Sequence, residues 1–412
     1  MRSIYPFALG VLGVVPGVLG WGAAGHEIIA TIAEIYLHPT VMPTICAILD
    51  EDAKPCHLAS IATWADRVRW QMRWSAPLHY VGAVDDHPSD HCVFPGERGW
   101  KGRANMNVLG AIRNVSGILE DWVEARESKY VGNGRASVSG EGDPTAAEAL
   151  KFLVHFIGDM HMPLHLTGRE RGGNGVKVTF DGRATNLHSV WDNFLIAQRI
   201  RSIPYNYTRP LPSREVEAVL QDAIYDPYIR RVVWEGLAEG GRWQDELNGW
   251  LDCPATPGKN TAVKTWREVL LGATLSQLIF GSGTAEETDD DVLCPYHWAK
   301  PIHELNCELV WPKALDENLS HTEVHHHDCG SHVSPEEEVA WLDGARATPK
   351  PHEPYLELDT PEYAGVVRKE WVVERLVAMA GVRLAGTLNW LFADLPDEKV
   401  QRRPALWTAV QL

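Results

Sequence analysis

The sequence predicts a mainly α-helical single domain, on three observations. Apolar residues recur at helical spacing along most of the chain, runs with strand-like alternation are few, and 45% of the 412 residues are hydrophobic, enough for a substantial core. No internal repeat divides the chain.

The first stretch stands apart from the fold. Arg2 precedes an apolar run over 4–15, and Pro16-Gly17-Val18-Leu19-Gly20 places small residues at a cleavage point. Residues 1–20 therefore read as a signal peptide, too short and too interrupted by glycine and proline for a membrane span. The domain then runs over 21–412 and is expected to be secreted, with no stable membrane association. Sequons at Asn114, Asn206 and Asn318 agree with export. So do seven cysteines: Cys46, Cys56, Cys92, Cys253, Cys294, Cys307 and Cys329. None forms a CxxC pair, which argues against a thiolate metal site, and the odd count leaves one thiol over.

Helices are expected over 25–36, 105–125, 146–159, 188–199, 263–279 and 366–392, where apolar residues fall on one face. The run 176–180, beside Asp181-Gly182, reads as half of a short hairpin. Two stretches read as loop insertions in the C-terminal half. One, at about 281–293, opens on GSGTAEETDDD; the other, at about 320–355, carries HTEVHHHDCGSH and several prolines. The histidine-rich run there is read as a solvated loop in preference to a metal trap. Most of the seventeen tryptophans sit at amphipathic helix positions and are read as core.

The chemistry concentrates in two motifs. In HFIGDMHMPLH, His155 and Asp159 are four apart, so a helix puts both on one face, and Pro163 breaks the helix before His165. In NLHSVWDN, His188 and Asp192 repeat the pairing. Imidazole nitrogens and carboxylate oxygens are the ligands zinc prefers. A single such pair would be ordinary helix surface; two pairs and a trailing histidine read as a metal site. His161 faces away from the His155–Asp159 stripe and is left out. The intervening GRERGGNG (168–175) lacks a Walker Lys-Ser/Thr and reads as a tight connection between ligand-bearing helices. Upstream lie WGAAGH from Trp21, WAD at 64–66 followed by Arg69, and LHYV at 78–81. Cleavage after Gly20 would free an α-amine on Trp21, with an unperturbed pKa of about 7.7–8.0, able to bind a metal.

Taken in order, WGAAGH, WAD with Arg69, LHYV, HFIGDMHMPLH, RGGN and NLHSVWDN resemble the secreted three-zinc, single-strand-preferring nucleases of fungi and plants. That family is related in fold to zinc phospholipase C. AGVRLAGTLN (380–389) resembles its last helix, and 298–310 the segment before it. The resemblance implies three zinc ions per chain. One would be held by Asp66, His79, His155 and Asp159; a second by the Trp21 amine and carbonyl with His26 and a shared Asp159; a third by His165, His188 and Asp192. It implies that Asp66 orients the attacking water and that Arg69 contacts the phosphate, with a surface salt bridge as the other reading of Arg69. It implies that Tyr80 stacks on a base, with core packing as the alternative, and that Asn193 contacts a base. It implies Cys92–Cys307 as a retained disulfide. A family cysteine near Met106 is missing. Cys46–Cys56 and Cys253–Cys294 are conjectured as further pairs, leaving Cys329 over. The family's acidic base-reading position is occupied here by Gly82, with Asp85 and Asp86 slightly later.

The implied activity is endonucleolytic hydrolysis of single-stranded DNA and RNA to 5′-phosphorylated products, with 3′-nucleotidase activity on nucleotides and no protein partner. Two alternatives stand beside it: a zinc-dependent phospholipase C, and a catalytically inactive secreted zinc-binding protein. A net charge of −17 is the wrong sign for gripping a polyanion by counterion release. Three divalent ions against three ligand carboxylates would concentrate positive charge in the cleft instead.

Overall fold

The computed structural model describes residues 21–50, 56–103, 105–132, 143–211, 214–220, 223, 225–254, 289–319 and 355–393. The stretch read as a signal peptide, the helix expected over 263–279, most of the two stretches read as insertions, and Cys329 lie outside them. The described residues are mainly helical, with one two-stranded sheet.

The first helices are α1 (Ala23–Ile35), α2 (Val41–Leu49), α3 (Leu58–Ile61), α4 (Trp64–Val68), α5 (Val108–Gly132) and α6 (Pro144–Met160). The core is built on α6. The Asp143 side chain accepts hydrogen bonds from the backbone N–H groups of Thr145 and Ala146 (2.9 and 3.3 Å), and Pro144 occupies the first turn, where no N–H is needed. His161 caps the other end, and Pro163 begins a separate 3-10 turn, Pro163–Leu166. From Phe152 to Met160 every residue of α6 is buried. It is covered by α5, by α1 and by the C-terminal helix Val372–Phe392, which itself lies along α1. Large apolar side chains such as Phe156 and Ile157 contribute about 1.5–3 kcal/mol each when fully buried. Polar groups in so dry a helix are costly unless something partners them. His155 and Asp159 sit there with no exposure.

Two expected helices differ in detail. The stretch expected over 366–392 forms two helices, Ala364–Lys369 and Val372–Phe392, separated at Trp371, whose φ is 57°. The break lets the Trp371 ring meet Trp243 edge-on (6.1 Å) and lie under Arg231 (4.6 Å), a tertiary gain invisible to periodicity. The helix expected over 188–199 runs in three pieces, Leu187–Ser189, Val190–Leu195 and Ile196–Ser202, with a π-helical middle. Such wide turns recur at functional sites.

The hairpin forms as expected. β1 (Lys177–Phe180) pairs antiparallel with β2 (Arg183–Asn186) in the register Lys177↔Asn186 to Phe180↔Arg183. Asp181 and Gly182 both have positive φ (53° and 67°), matching the twist of the strands. A third segment joins unannounced by its sequence. Thr179 N–H donates to the Leu356 carbonyl, and Leu358 N–H to that of Thr179 (2.9 Å each), while Glu357 accepts from the N–H groups of Asp181 and Gly182.

Three disulfides form: Cys46–Cys56, Cys92–Cys307 and Cys253–Cys294. Among the described residues no helix is long and apolar enough to cross a membrane. Asn206 lies exposed after the Ile196–Ser202 helix, whereas Asn114 is exposed on α5 with Ser116 of its sequon fully buried. Asn318 falls in the helix Ala314–Leu319, and its side chain lies outside the described residues.

Candidate metal centre

Six stretches of chain deliver the expected ligands to one buried locus. His26 comes from the first turn of α1, Asp66 from α4, and His79 from the end of the 3-10 turn Arg73–His79. His155 and Asp159 come from α6, His165 from the Pro163–Leu166 turn, and His188 and Asp192 from the stretch after the hairpin. His26 stacks on His155 (ring centroids 3.9 Å) and His165 on His188 (5.2 Å).

Asp159 is the hub. Its Oδ2 lies 2.9 Å from His79 Nδ1 and 3.3 Å from His155 Nε2; its Oδ1 lies 3.5 Å from His26 Nε2 and 3.4 Å from His165 Nδ1. Asp66 Oδ1 stands 3.6 Å from His155 Nε2 and 3.8 Å from His79 Nδ1. A tetrahedral ion with bonds of about 2.0–2.1 Å separates its ligand atoms by roughly 3.3–3.4 Å. The observed spacing brackets that edge. His165, His188 and Asp192 form a second convergent group, with His188 Nε2 3.0 Å from Asp192 Oδ2.

The donor atoms themselves are the fit test for a cation. Asp66 Oδ1, His155 Nε2, Asp159 Oδ1, His165 Nε2, Asp192 Oδ1 and both nitrogens of His26 are buried without a hydrogen-bond partner. Orphans of this kind are rare, and here they converge on the same points. The opposite ring edges are committed to backbone carbonyls: His155 Nδ1 donates to Ala62 (2.8 Å), His165 Nδ1 to His79 and His188 Nδ1 to Gly172 (2.7 Å each). A carbonyl only accepts, so Nδ1 carries the proton and Nε2 keeps its lone pair for an ion.

Without a cation the groups sit in tension. Burial presses His155 down, but the Asp159 and Asp66 carboxylates outweigh it and hold the imidazole well above its ordinary range. Burial raises Asp159, and His155 with His165 outweighs that and holds it well below. Burial pushes Asp192 up to about 7 and His165 down to about 4.

Two glycines make the packing possible. A Cβ on Gly158, between the ligands of α6, would lie 2.6 Å from His26 Nδ1. Gly158→Ala is therefore expected to displace His26 and weaken metal retention there by about 10–100-fold, checked by metal analysis after dialysis against graded chelator; an unchanged metal content would refute the close-approach role. Gly172, whose carbonyl holds His188, has φ +63°, and its Cβ would meet the Leu164 carbonyl at 2.5 Å. RGGN thus supplies the carbonyl that accepts the Nδ1 proton of His188, where the sequence showed only a tight connection.

Trp21 is fully buried, and the adjacent Gly22 N–H donates to the Asp192 carbonyl (3.0 Å), tying the start of the domain to the second group. Arg69 is half-buried one turn beyond Asp66, with its guanidinium 5.9 Å from the Trp70 ring. Tyr80 is 48% exposed, which removes the core-packing alternative. Asn193 is exposed beside Asp192. Asp86 is not available for base reading: it is buried and accepts from Val93 N–H, Thr167 Oγ1 and His303 Nε2. Asp85 pairs with Arg98 (3.1 Å). His161 stays out of the site, its Nδ1 donating to the Ile157 carbonyl and its Nε2 facing Arg383 (2.9 Å). A further grouping of Asp86, Cys92 and His303 lacks a thiolate, because Cys92 is bonded to Cys307.

The sequence of the S1/P1 Nuclease family matches residues 21–328. Among curated relatives, Endonuclease 2 of Arabidopsis thaliana is 35% identical over 185 residues, 44% of this chain and 58% of the relative. Nuclease S1 of Aspergillus oryzae is 34% identical over 194 residues (47% and 60%), and Nuclease P1 of Penicillium citrinum 39% over 177 (42% and 58%). The chain spans about three fifths of the length of these relatives.

Proposed function

The chain belongs to the S1/P1 nuclease family, and from that premise we propose that it is a secreted, zinc-dependent endonuclease hydrolysing phosphodiester bonds of single-stranded DNA and RNA to 5′-phosphorylated products, with 3′-nucleotidase activity on nucleotides. The observation that carries this reading is the convergence of buried, unpartnered imidazole nitrogens and carboxylate oxygens around Asp159. That donor set suits zinc, whereas magnesium and calcium take oxygen ligands.

Three ions fit the assignment. Asp66, His79, His155 and Asp159 would hold one; Trp21, His26 and Asp159 a second; His165, His188 and Asp192 a third. Bound there, zinc supplies Lewis acidity, lowering the pKa of coordinated water and stabilising charge on phosphoryl oxygens. The chain's own residues then position the reactants. Asp66, at the rim with Oδ1 unpartnered, accepts a hydrogen bond from the attacking water and fixes its direction. Arg69, three residues on, offers a fork of N–H donors to the non-bridging phosphate oxygens. Tyr80, next to His79, presents its ring to the base beside the scissile phosphate, and Asn193 hydrogen-bonds a base edge. The export signal and the sequon at Asn206 support a secreted glycoprotein.

Incubation of the purified, zinc-loaded protein with heat-denatured DNA, RNA, duplex DNA and phosphatidylcholine micelles tests the proposal. Denatured DNA and RNA should be cut faster than duplex, leaving 5′-phosphates. Hydrolysis of lipid alone would assign the site to a phospholipase, and bound zinc with every substrate intact would make the chain an idle zinc binder.

A further inference from the structure

Fourteen of the chain's tryptophans fall among the described residues, and of these only Trp70 and Trp74 are mostly exposed, at 67% and 55%. They lie four apart in Arg69-Trp70-Gln71-Met72-Arg73-Trp74. From 67 to 84 the chain carries three arginines and no carboxylate, in a protein of net charge −17. An aromatic side chain offers 150–250 Å² of apolar surface, so leaving two in water forgoes a large gain on folding.

Ring contacts tie this patch to the metal centre. Trp74 meets Phe152 edge-on (5.7 Å), Phe152 stacks on Phe156 (5.1 Å), and Phe156 meets the ligand His79 edge-on (5.2 Å). Arg69 bridges the other way, lying beside Trp70 and one turn from Asp66. We propose that Trp70 and Trp74, flanked by Arg69 and Arg73, form a stacking track that carries the nucleotides of a single strand lying beyond the scissile phosphate. This rests on the nuclease reading above and names how its substrate is held. Stacking reads the face of a base and ignores its edge, so it tolerates any sequence. A duplex hides those faces between neighbouring pairs, so the track gives the single-strand preference a physical source.

The test compares the wild type with Trp70→Ala/Trp74→Ala on two substrates, an oligothymidylate of about 12 nucleotides and the dinucleotide TpT, which has no nucleotide beyond the pair flanking its one phosphate. Both residues are exposed, so the double variant should retain its fold and zinc content. Expected is a rise of roughly thirtyfold or more in KM for the oligonucleotide with kcat unchanged and TpT unaffected, restored by Trp70→Phe/Trp74→Phe. Equal losses on both substrates would mark a structural role, and no loss on either would mark an idle surface; each overturns the proposal. Binding of a phosphorothioate oligothymidylate to the zinc-loaded protein, followed by tryptophan fluorescence, decides the track independently of turnover. If the wild type cut no nucleic acid, the nuclease reading would fail; equal oligonucleotide affinity in wild type and double variant would still sink the track. Loss of binding to anionic phosphatidylserine vesicles, with oligonucleotide binding intact, would reassign the patch to a membrane surface.

Discussion

Asp159→Asn is expected to abolish hydrolysis and strip metal from the protein. The substitution keeps the side chain's volume and removes its charge from the point where His26, His79, His155 and His165 all come within 3.5 Å of its oxygens. An amide presents one acceptor and one N–H₂, so one face of the cluster would meet a donor where it needs a ligand. Replacing groups that merely orient a ligand costs about 10–100-fold in metal affinity or activity. Losing a carboxylate shared between two ligand groups should cost more, at least about a thousandfold in kcat/KM. Elemental analysis should show fewer bound zincs than the wild type, and circular dichroism an unchanged helical signature. Full zinc content with more than a tenth of wild-type activity would refute the hub.

Removing the metal is expected to destabilise the protein strongly. The ligands lie in the dry heart of the fold, with His155 and Asp159 in the wholly buried stretch Phe152–Met160. Chelation at pH 7 should lower Tm by about 10 °C or more, and zinc should restore it, because an ion that binds only the folded chain stabilises by mass action. The metal-free protein should also respond to pH in two opposing ways. Asp192, pushed up to about 7 in the fold against about 3.9 unfolded, contributes stability that is full below about pH 4 and lost as pH rises towards 7. His165, pressed down to about 4 against about 6.5 unfolded, contributes stability that is present at neutral pH and lost as pH falls from about 6.5 to 4. Zinc loading near pH 6 should therefore expel the proton Asp192 retains, measurable by calorimetry in buffers of different ionisation enthalpy. A Tm unmoved after verified loss of metal would show that the site does not support the fold.

Much of the candidate site was legible because metal ligands must be particular side chains at particular spacings. His155 with Asp159, and His188 with Asp192, announce themselves through the helix repeat. The ordering carbonyls of Ala62, His79 and Gly172 did not, since every residue has a carbonyl and only tertiary packing decides which one faces an imidazole. Most tryptophans are core, as the sequence suggested, but which ones stay wet was not legible: composition shows an aromatic residue, and only packing, such as the edge contact of Trp74 with Phe152, shows which side faces solvent. In the fold, the hairpin was readable from Asp181-Gly182, whose turn chemistry is local. The break at Trp371 was not, because it answers to Trp243 and Arg231, far away in sequence.

Cys253 and Cys294 hold their Cα atoms 5.7 Å apart. The bond therefore joins points of the chain 41 residues apart in sequence. The entropy of closing such a loop grows only with the logarithm of its length, each doubling costing about 0.6 kcal/mol. Close to the two cysteines in sequence, the Trp250 and Trp298 carbonyls both accept hydrogen bonds from Arg383 (2.7 and 3.3 Å). The crosslink thus ties together two segments, Leu247–Leu251 and Pro295–Leu305, whose carbonyls converge on one buried guanidinium.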